Sequence, residues 1–387
     1  MSTIPYARQS ISQADIDAVA RVLRSDWLTQ GPDIERFEKG VAAACGARHA
    51  IAVSNGTAAL HLACMAFDLG PGDLLWTSPN TFAASANCAR YCGADVDFVD
   101  IDPRTYNISI AALEEKLARA QRAGRLPKAL VPVHFGGQSC DMQAIGALAG
   151  RYGFRVVEDA SHAVGAEYRS AKVGACPHSD VAVFSFHPVK IMTTGEGGML
   201  MTNDDGLARR LRLLRTHGIT RDAGEMSGGS EGPWYYQQVE LGYNYRMTDI
   251  QAALGASQLR RLDEFLARRR ELVRRYDTVL KGLPLATPHE DPAGKSSWHL
   301  YVIQLDLEAL GKTRRAVFER MRAAGILVNV HYIPVHLQPY YRALGFEKGQ
   351  FPAAERYYER ALSLPLYYEL SEADQDRVCA VLRESLQ

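Results

Sequence analysis

The chain has 387 residues with 44 basic and 44 acidic side chains, so its formal net charge is zero. Hydrophobic residues make up 47% and charged residues 23%, the balance of a soluble globular protein. A neutral total excludes a binder of nucleic acid or membrane surfaces that works through a large positive field, and the length predicts two or three domains.

The predicted elements alternate in chain order. A buried strand at 50–53, the turn Ser54-Asn55-Gly56-Thr57 and a helix at 58–67 come first. Strands at 74–77 and 97–100 follow, with helices at 82–91 and 111–123. Strands at 129–134 and 155–158 enclose a helix at 142–152. This alternation predicts an α/β domain around a mostly parallel, buried sheet. A strand at 180–186, with Val181, Val183 and Ser185 on one face, leads into His187-Pro188-Val189-Lys190 and the glycine-rich Gly195-Glu196-Gly197-Gly198. One more strand is predicted at 199–202 and a surface loop at 221–232. A long charged helix is expected over 248–280, with Arg268-Arg269-Arg270 as a solvated face. A smaller α/β unit then follows. Strands at 299–305 and 326–330 flank a helix at 312–324, and helices at 353–363 and 372–384 close the chain. The predicted division is an N-terminal arm and large domain over 1–249 and a small domain over 250–387.

Seven cysteines are present: Cys45, Cys64, Cys88, Cys92, Cys140, Cys176 and Cys379. None forms a Cys-x-x-Cys pair, and Cys88 and Cys92 lack the second pair a zinc site needs. Reduced buried thiols are expected. The start Met1-Ser2-Thr3-Ile4-Pro5 has no basic segment followed by an apolar core, so no signal peptide is predicted. The longest run without Asp, Glu, Lys or Arg, 49–67, is broken by the 54–57 turn and cannot span a membrane. A cytoplasmic location is the expectation.

Three features could carry chemistry. The 54–57 turn precedes a helix whose free N–H groups, with the Thr57 hydroxyl, make an anion cradle, although a plain structural connection looks the same. Asp159 ends a buried strand, where open α/β sheets bind ligands, but it would also serve as a helix N-cap. His162 follows three residues later. Lys190 is one of only 9 lysines among the 44 basic residues, and lysine can lose its proton and form a Schiff base where arginine cannot. A phosphate cradle, a strand-end Asp and a lysine 31 residues later are together what pyridoxal 5'-phosphate requires. The lysine bonds the cofactor, the acid holds the pyridine nitrogen protonated, and Phe82 is placed to cover one face of the ring.

At these residues the sequence resembles a family. Trp27-Leu28-Thr29-Gln30-Gly31-Pro32, Ser54-Asn55-Gly56-Thr57-Ala58-Ala59-Leu60 and Ser78-Pro79-Asn80-Thr81-Phe82 resemble the DegT/StrS-type nucleotide-sugar aminotransferases. So do Val157-Glu158-Asp159-Ala160-Ser161-His162-Ala163, Phe184-Ser185-Phe186-His187-Pro188-Val189-Lys190 and Gly242-Tyr243-Asn244-Tyr245-Arg246-Met247-Thr248-Asp249-Ile250-Gln251-Ala252-Ala253. The motifs occur in order along essentially the whole chain. Within the family the resemblance is greatest to the carbon-4 aminotransferases of pseudaminic acid synthesis, which make UDP-4-amino-4,6-dideoxy-N-acetyl-β-L-altrosamine. Ile4-Pro5-Tyr6, Ala84-Ser85-Ala86-Asn87-Cys88 and His331-Tyr332-Ile333-Pro334-Val335-His336-Leu337-Gln338-Pro339-Tyr340-Tyr341 carry that resemblance.

The resemblance implies the pyridoxal-phosphate-dependent transferase fold of type I and transfer of an amino group from glutamate to a UDP-linked 4-keto-6-deoxy sugar. It implies that Lys190 bonds the cofactor and shuttles the proton, that Asp159 pairs with the pyridine nitrogen, and that Gly56, Thr57 and Ser185 bind the phosphate. Phe82 stacks on the ring and His162 sits near its substituents. Asn244 is expected to reach the cofactor of a neighbouring subunit, giving a homodimer with shared sites. Tyr6, His331, Tyr332 and His336 are candidates to line the substrate pocket, with structural packing the competing reading for the two histidines. Their spacing suits no metal site. Arg246 could grip the donor carboxylate or form a structural ion pair. A sibling enzyme for a GDP- or dTDP-linked keto sugar is the near alternative. A sugar dehydratase is a further one, disfavoured because dehydrating relatives carry histidine in place of the lysine. A regulatory protein without chemistry is disfavoured by the retained Asp159 and Lys190.

Overall fold

The computed structural model describes residues 3–387, so Met1 and Ser2, with which the N-terminal segment read above begins, lie outside the described residues. Seven strands form the central sheet: β1 (His49–Val53), β2 (Leu74–Thr77), β3 (Asp95–Phe98), β4 (Ala129–Val131), β5 (Arg155–Asp159), β6 (Val181–Ser185) and β7 (Gly198–Thr202). Their spatial order is β1-β7-β6-β5-β4-β2-β3. Only β7 runs antiparallel to its neighbours. This is the mostly parallel α/β sheet that the alternation predicts.

Both faces of the sheet are covered, which is why its strands read as unbroken apolar runs. In β6, Val181 and Val183 pack into the core beneath helices Gly56–Ala66 and Asp205–Leu214, whereas Ala182 and Phe184 enter a second core on the other face. Side-chain caps hold the helix starts. Asn55 Oδ1 accepts the Ala58 N–H at 2.8 Å, and Ser109, Asp141 and Asp204 do the same work for later helices. At the start of β7, a Cβ on Gly198 would lie 2.4 Å from the Asn55 carbonyl oxygen. Only glycine lets this strand begin against the 54–57 turn.

A three-stranded antiparallel sheet forms the second α/β unit: β8 (Leu285–Ala286), β9 (Tyr301–Leu305) and β10 (Ala361–Leu364), in that spatial order. The helix expected over 353–363 stops at Arg360, and Ala361–Leu364 pairs with β9 instead. A short apolar run does not reveal its period, so helix and strand read alike there. The strand expected over 326–330 is shortened to Ile326–Leu327, in parallel with Ile4–Pro5, and Asn329 adds a single antiparallel bridge to Ser363. Residues 221–236 form a loop without helix or strand.

The helix expected over 248–280 is two helices, Asp249–Leu259 and Leu262–Val279. Arg260 and Arg261 close turns onto Ser257 and Gln258 and redirect the chain. Asp249–Leu259 packs against helices Gln13–Leu23 and Pro32–Cys45. The change of core falls inside the second helix: Phe265 and Leu266 join the large unit, and Leu272, Val273 and Tyr276 join the small one. Arg269 lies between them. In place of the solvated face that the charge run predicts, it is 2% exposed and donates to the carbonyls of Trp298, His299 and Leu366 at 3.1, 3.4 and 3.0 Å. Three carbonyls at the junction supply the partners that a buried guanidinium requires. Among the described residues, no helix is long and apolar enough to cross a membrane.

Candidate active site

The carboxyl ends of β1, β5 and β6 deliver Asn55, Asp159 and Ser185 to one cavity of about 1060 Å³. Tyr6, Gly56, Thr57, Phe82, His162, Lys190, His331 and Tyr332 also line it. Ten of the residues singled out in the sequence therefore meet here, although they span 326 positions of chain between Tyr6 and Tyr332.

The phosphate-cradle geometry is present. Asn55 caps the helix by taking the Ala58 N–H. The N–H groups of Gly56 and Thr57 are first-turn donors with no acceptor inside the helix. A Cβ on Gly56 would stand 3.0 Å from the Ser185 Cβ, so glycine keeps the space between helix start and serine open.

Asp159 is 5% exposed and holds donors on both oxygens. Ser85 Oγ donates to Oδ2 at 2.6 Å, and the Ser161 N–H donates to Oδ1 at 3.1 Å. The acid is therefore not a simple N-cap; its carboxylate is oriented into the cavity wall. Lys190, half-buried, has no ion-pair partner among the described residues. Desolvation lowers its pKa to about 8, against the opposing pull of Asp159.

Three histidines surround Lys190 in neutral form. Burial, then the charge of Lys190, holds His331 down to about 3. Burial, then Lys190, pushes His162 well below the usual range, and burial, then His162 and Lys190, does the same to His299. His162 Nδ1 accepts the Gly136 N–H at 3.3 Å, so its single proton sits on Nε2 and is donated to the Tyr332 oxygen at 3.1 Å. The Tyr332 hydroxyl proton is then left for a partner in the cavity, and burial pushes its pKa up, so it stays a donor. Phe82 is 62% exposed and its ring lies 6.3 Å from that of Tyr332. Tyr6 packs on His331 with ring centroids 5.2 Å apart.

Three residues expected at the site lie outside this cavity. His336 is fully buried, bonded through Nε2 to Glu355 at 3.0 Å and packed on Phe351, so it is structural and does not line a substrate pocket. Arg246 makes no ion pair among the described residues and lines a different groove with Arg48, Arg212 and Arg215. Asn244 is exposed and bridges Thr216 through its backbone. Among the described residues, no cluster of His, Cys, Asp or Glu could hold a metal ion.

Sequence reasoning assigns no role to Ser85 or His299. Ser85 is visible only as a small polar residue in the run Ala84-Ser85-Ala86 that follows Phe82. His299, whose ring lies 4.4 Å from that of His162, leaves no local signal at all.

The site's chemistry suits the cofactor that the sequence suggests. Helix-start N–H groups beside a serine fit a phosphate, the fixed Asp159 carboxylate fits a pyridine nitrogen, and a desolvated lysine fits an aldehyde carbon.

The family model of the DegT/DnrJ/EryC1/StrS aminotransferases matches residues 9–383. The spore coat polysaccharide biosynthesis protein SpsC of Bacillus subtilis is 44% identical over 384 residues, covering 98% of this chain and 96% of that protein. Among solved structures, Helicobacter pylori PseC, an aminotransferase involved in pseudaminic acid biosynthesis, superposes with a TM-score of 0.91 at 29% identity, covering 100% of this chain and 99% of that one. The aminotransferase TlmJ from Streptoalloteichus hindustanus gives 0.89 at 33% identity, covering 99% and 98%.

Proposed function

Since this chain belongs to the DegT/DnrJ/EryC1/StrS aminotransferase family, we propose that it moves an amino group from glutamate to carbon 4 of a UDP-linked 4-keto-6-deoxy-N-acetylhexosamine. It is a pyridoxal-phosphate-dependent sugar aminotransferase. The finer assignment of substrate is supported by the likeness to PseC and SpsC, whose names connect them with pseudaminic acid and spore coat polysaccharide synthesis.

The observation that carries the chemistry is the convergence of Lys190, Asp159 and the Gly56–Thr57 helix start on one cavity. When bound, pyridoxal 5'-phosphate supplies an electron sink and carries the amino group between the two substrates. The protein does the rest. Gly56, Thr57 and Ser185 hold the phosphate end. Asp159 receives the ring nitrogen, and Phe82 covers the ring face. Lys190, with a pKa near 8, has a useful neutral fraction at neutral pH. Its Nζ removes the proton from the α-carbon of glutamate and, in the second half-reaction, delivers one to carbon 4 of the sugar. His162 stays neutral and presents Tyr332 as a donor into the substrate space, next to Tyr6 and His331.

The reading includes a homodimer in which Asn244 reaches the neighbouring subunit's cofactor. Its exposed position, and the exposed Trp27, Leu28, Trp234 and Leu241, support a surface covered by a second copy. The seven cysteines are unpaired, which suits a reducing compartment, and we assign the enzyme to the cytoplasm.

The test is a substrate panel. Enzyme, glutamate and UDP-, GDP- and dTDP-linked keto sugars are incubated, and amino-sugar products are followed by mass spectrometry. Product from the UDP-linked 4-keto sugar supports the proposal. Turnover of the GDP- or dTDP-linked sugars alone overturns the substrate assignment. Mixed dimers of Lys190→Ala and Asn244→Asp chains, unfolded and refolded together, should recover part of the activity that each lacks.

A further inference from the structure

We infer that Thr81 and Ser85 form a positioning relay that fixes the Asp159 carboxylate and seats Phe82 through the same helix turn. The inference rests on the reading of Asp159 as the partner of the cofactor's ring nitrogen.

The direction of each hydrogen bond follows from the groups involved. Thr81 Oγ1 and Ser85 Oγ are 2.7 Å apart, and Ser85 Oγ is 2.6 Å from Asp159 Oδ2. Asp159 Oδ2 accepts. Ser85 has one hydroxyl proton, and the shorter contact directs it to the carboxylate. Ser85 Oγ must then accept from Thr81. The relay therefore runs one way, Thr81 to Ser85 to Asp159. Thr81 is 2% exposed, Ser85 is fully buried and Asp159 is 5% exposed, so water does not compete for these bonds.

The sequence spacing explains the arrangement. Thr81 precedes helix Ala84–Tyr91 and Ser85 lies in its first turn, and the turn between them brings their hydroxyls together. The Phe82 carbonyl accepts the Ser85 N–H at 3.2 Å. One turn of chain therefore holds both the ring-covering side chain and the donor to the acid. The other carboxylate oxygen is held by the Ser161 N–H, which comes from the strand's own continuation. Two unrelated segments thus grip the two oxygens, and the carboxylate has a single orientation. The helix approaches closely because its buried residues are all small: Ala84, Ser85, Ala86, Cys88 and Ala89.

The test measures the dissociation constant of pyridoxal 5'-phosphate from each cofactor-free protein by fluorescence quenching, the pH midpoint of the bound cofactor's absorption band, and kcat with KM. Ser85→Ala should weaken cofactor binding about tenfold, as expected for loss of one hydrogen bond to a charged group. It should shift the band midpoint and lower kcat while leaving the KM for the sugar nucleotide within about twofold. Thr81→Val should act in the same direction with a smaller effect, and Thr81→Ser should restore wild-type values. Asp159→Asn should give the largest loss, and adding Ser85→Ala to it should change the dissociation constant by less than about twofold, because the relay then has no charge to position. If Ser85→Ala and Thr81→Val both match wild type while Asp159→Asn does not, the relay is overturned and the reading of Asp159 stands. If the Ser85 loss adds in full on the Asp159→Asn background, the serine is a packing residue and the relay is again overturned. If Asp159→Asn itself leaves binding and band unchanged, the reading of Asp159 falls, and the relay with it. Should Ser85→Ala fail to fold, the Thr81→Val and Thr81→Ser pair decides.

Discussion

Replacing Lys190 by methionine should stabilise the cofactor-free protein, and the gain should depend on pH in a defined direction. Desolvation holds the native Lys190 ammonium at about 8, below its ordinary 10.5. A tenfold loss of proton affinity corresponds to about 1.4 kcal/mol, so carrying the charged form into the folded state costs about 3 kcal/mol. Between about pH 8 and 10.5 the unfolded chain binds more protons at this position than the native one. Wild-type stability therefore rises with pH through that window. Below about 8 both states are protonated and the full cost is present; above 10.5 both are neutral and it vanishes. Lys190→Met keeps a similar length without the charge. The variant should exceed wild type by about 3 kcal/mol at about pH 7 and approach it near about pH 10.5. Urea unfolding of both cofactor-free proteins, at one protein concentration and at several pH values, measures the difference. A difference that stays flat from about pH 7 to about pH 10.5 would refute the account of a desolvated lysine at the site. In the proposed reaction this cost has a use: the same burial that destabilises the fold leaves Nζ available as the base.

Gly56→Ala forces a methyl to within 3.0 Å of the Ser185 Cβ, and should weaken pyridoxal 5'-phosphate binding at least about tenfold while changing the urea midpoint little; equilibrium dialysis checks it. Glu355→Ala removes the acceptor of His336 Nε2 and of the Gly349 and Phe351 N–H groups, and should cost about 3 kcal/mol of stability. Because His336 lies outside the cavity, kcat per folded molecule should stay within about twofold of wild type. Arg269→Met leaves three buried carbonyls without their donor and should cost at least about 3 kcal/mol, read as a lowered urea midpoint.

Asp159, Gly56 and Ser185 are legible in the sequence because each sits at a strand end or helix start, where local pattern announces a change of direction, and Lys190, in the loop after the strand that ends at Ser185, is legible through the scarcity of lysine. Their mutual approach is legible only through the rule that parallel sheets gather ligands at their carboxyl edge. His336 and Arg246 are not, because spacing and charge do not tell whether a side chain meets a partner. His336 finds Glu355, nineteen residues on, and Arg246 comes to line a separate groove. Arg269 shows the same limit from the other side: in sequence it is the middle of a charged run, and in the fold it is a buried donor to three distant carbonyls.

The sequence by itself determined the alternating strands and helices of the large sheet and the scarcity of lysine that marked Lys190. These depend on neighbours within a few residues, where backbone hydrogen bonding and side-chain period act directly. Tertiary structure decided what only distant contacts can decide. It split the long charged helix at Arg260 and turned Ala361–Leu364 into a strand against Tyr301–Leu305. It kept His162, His299 and His331 neutral by burying them around one ammonium. It also set Ser85 against Asp159 across 74 residues of chain. Desolvation and hydrogen-bond partnership belong to the packed arrangement, so the zero net charge that excluded a polyanion binder could not show how a few placed donors hold an anionic cofactor.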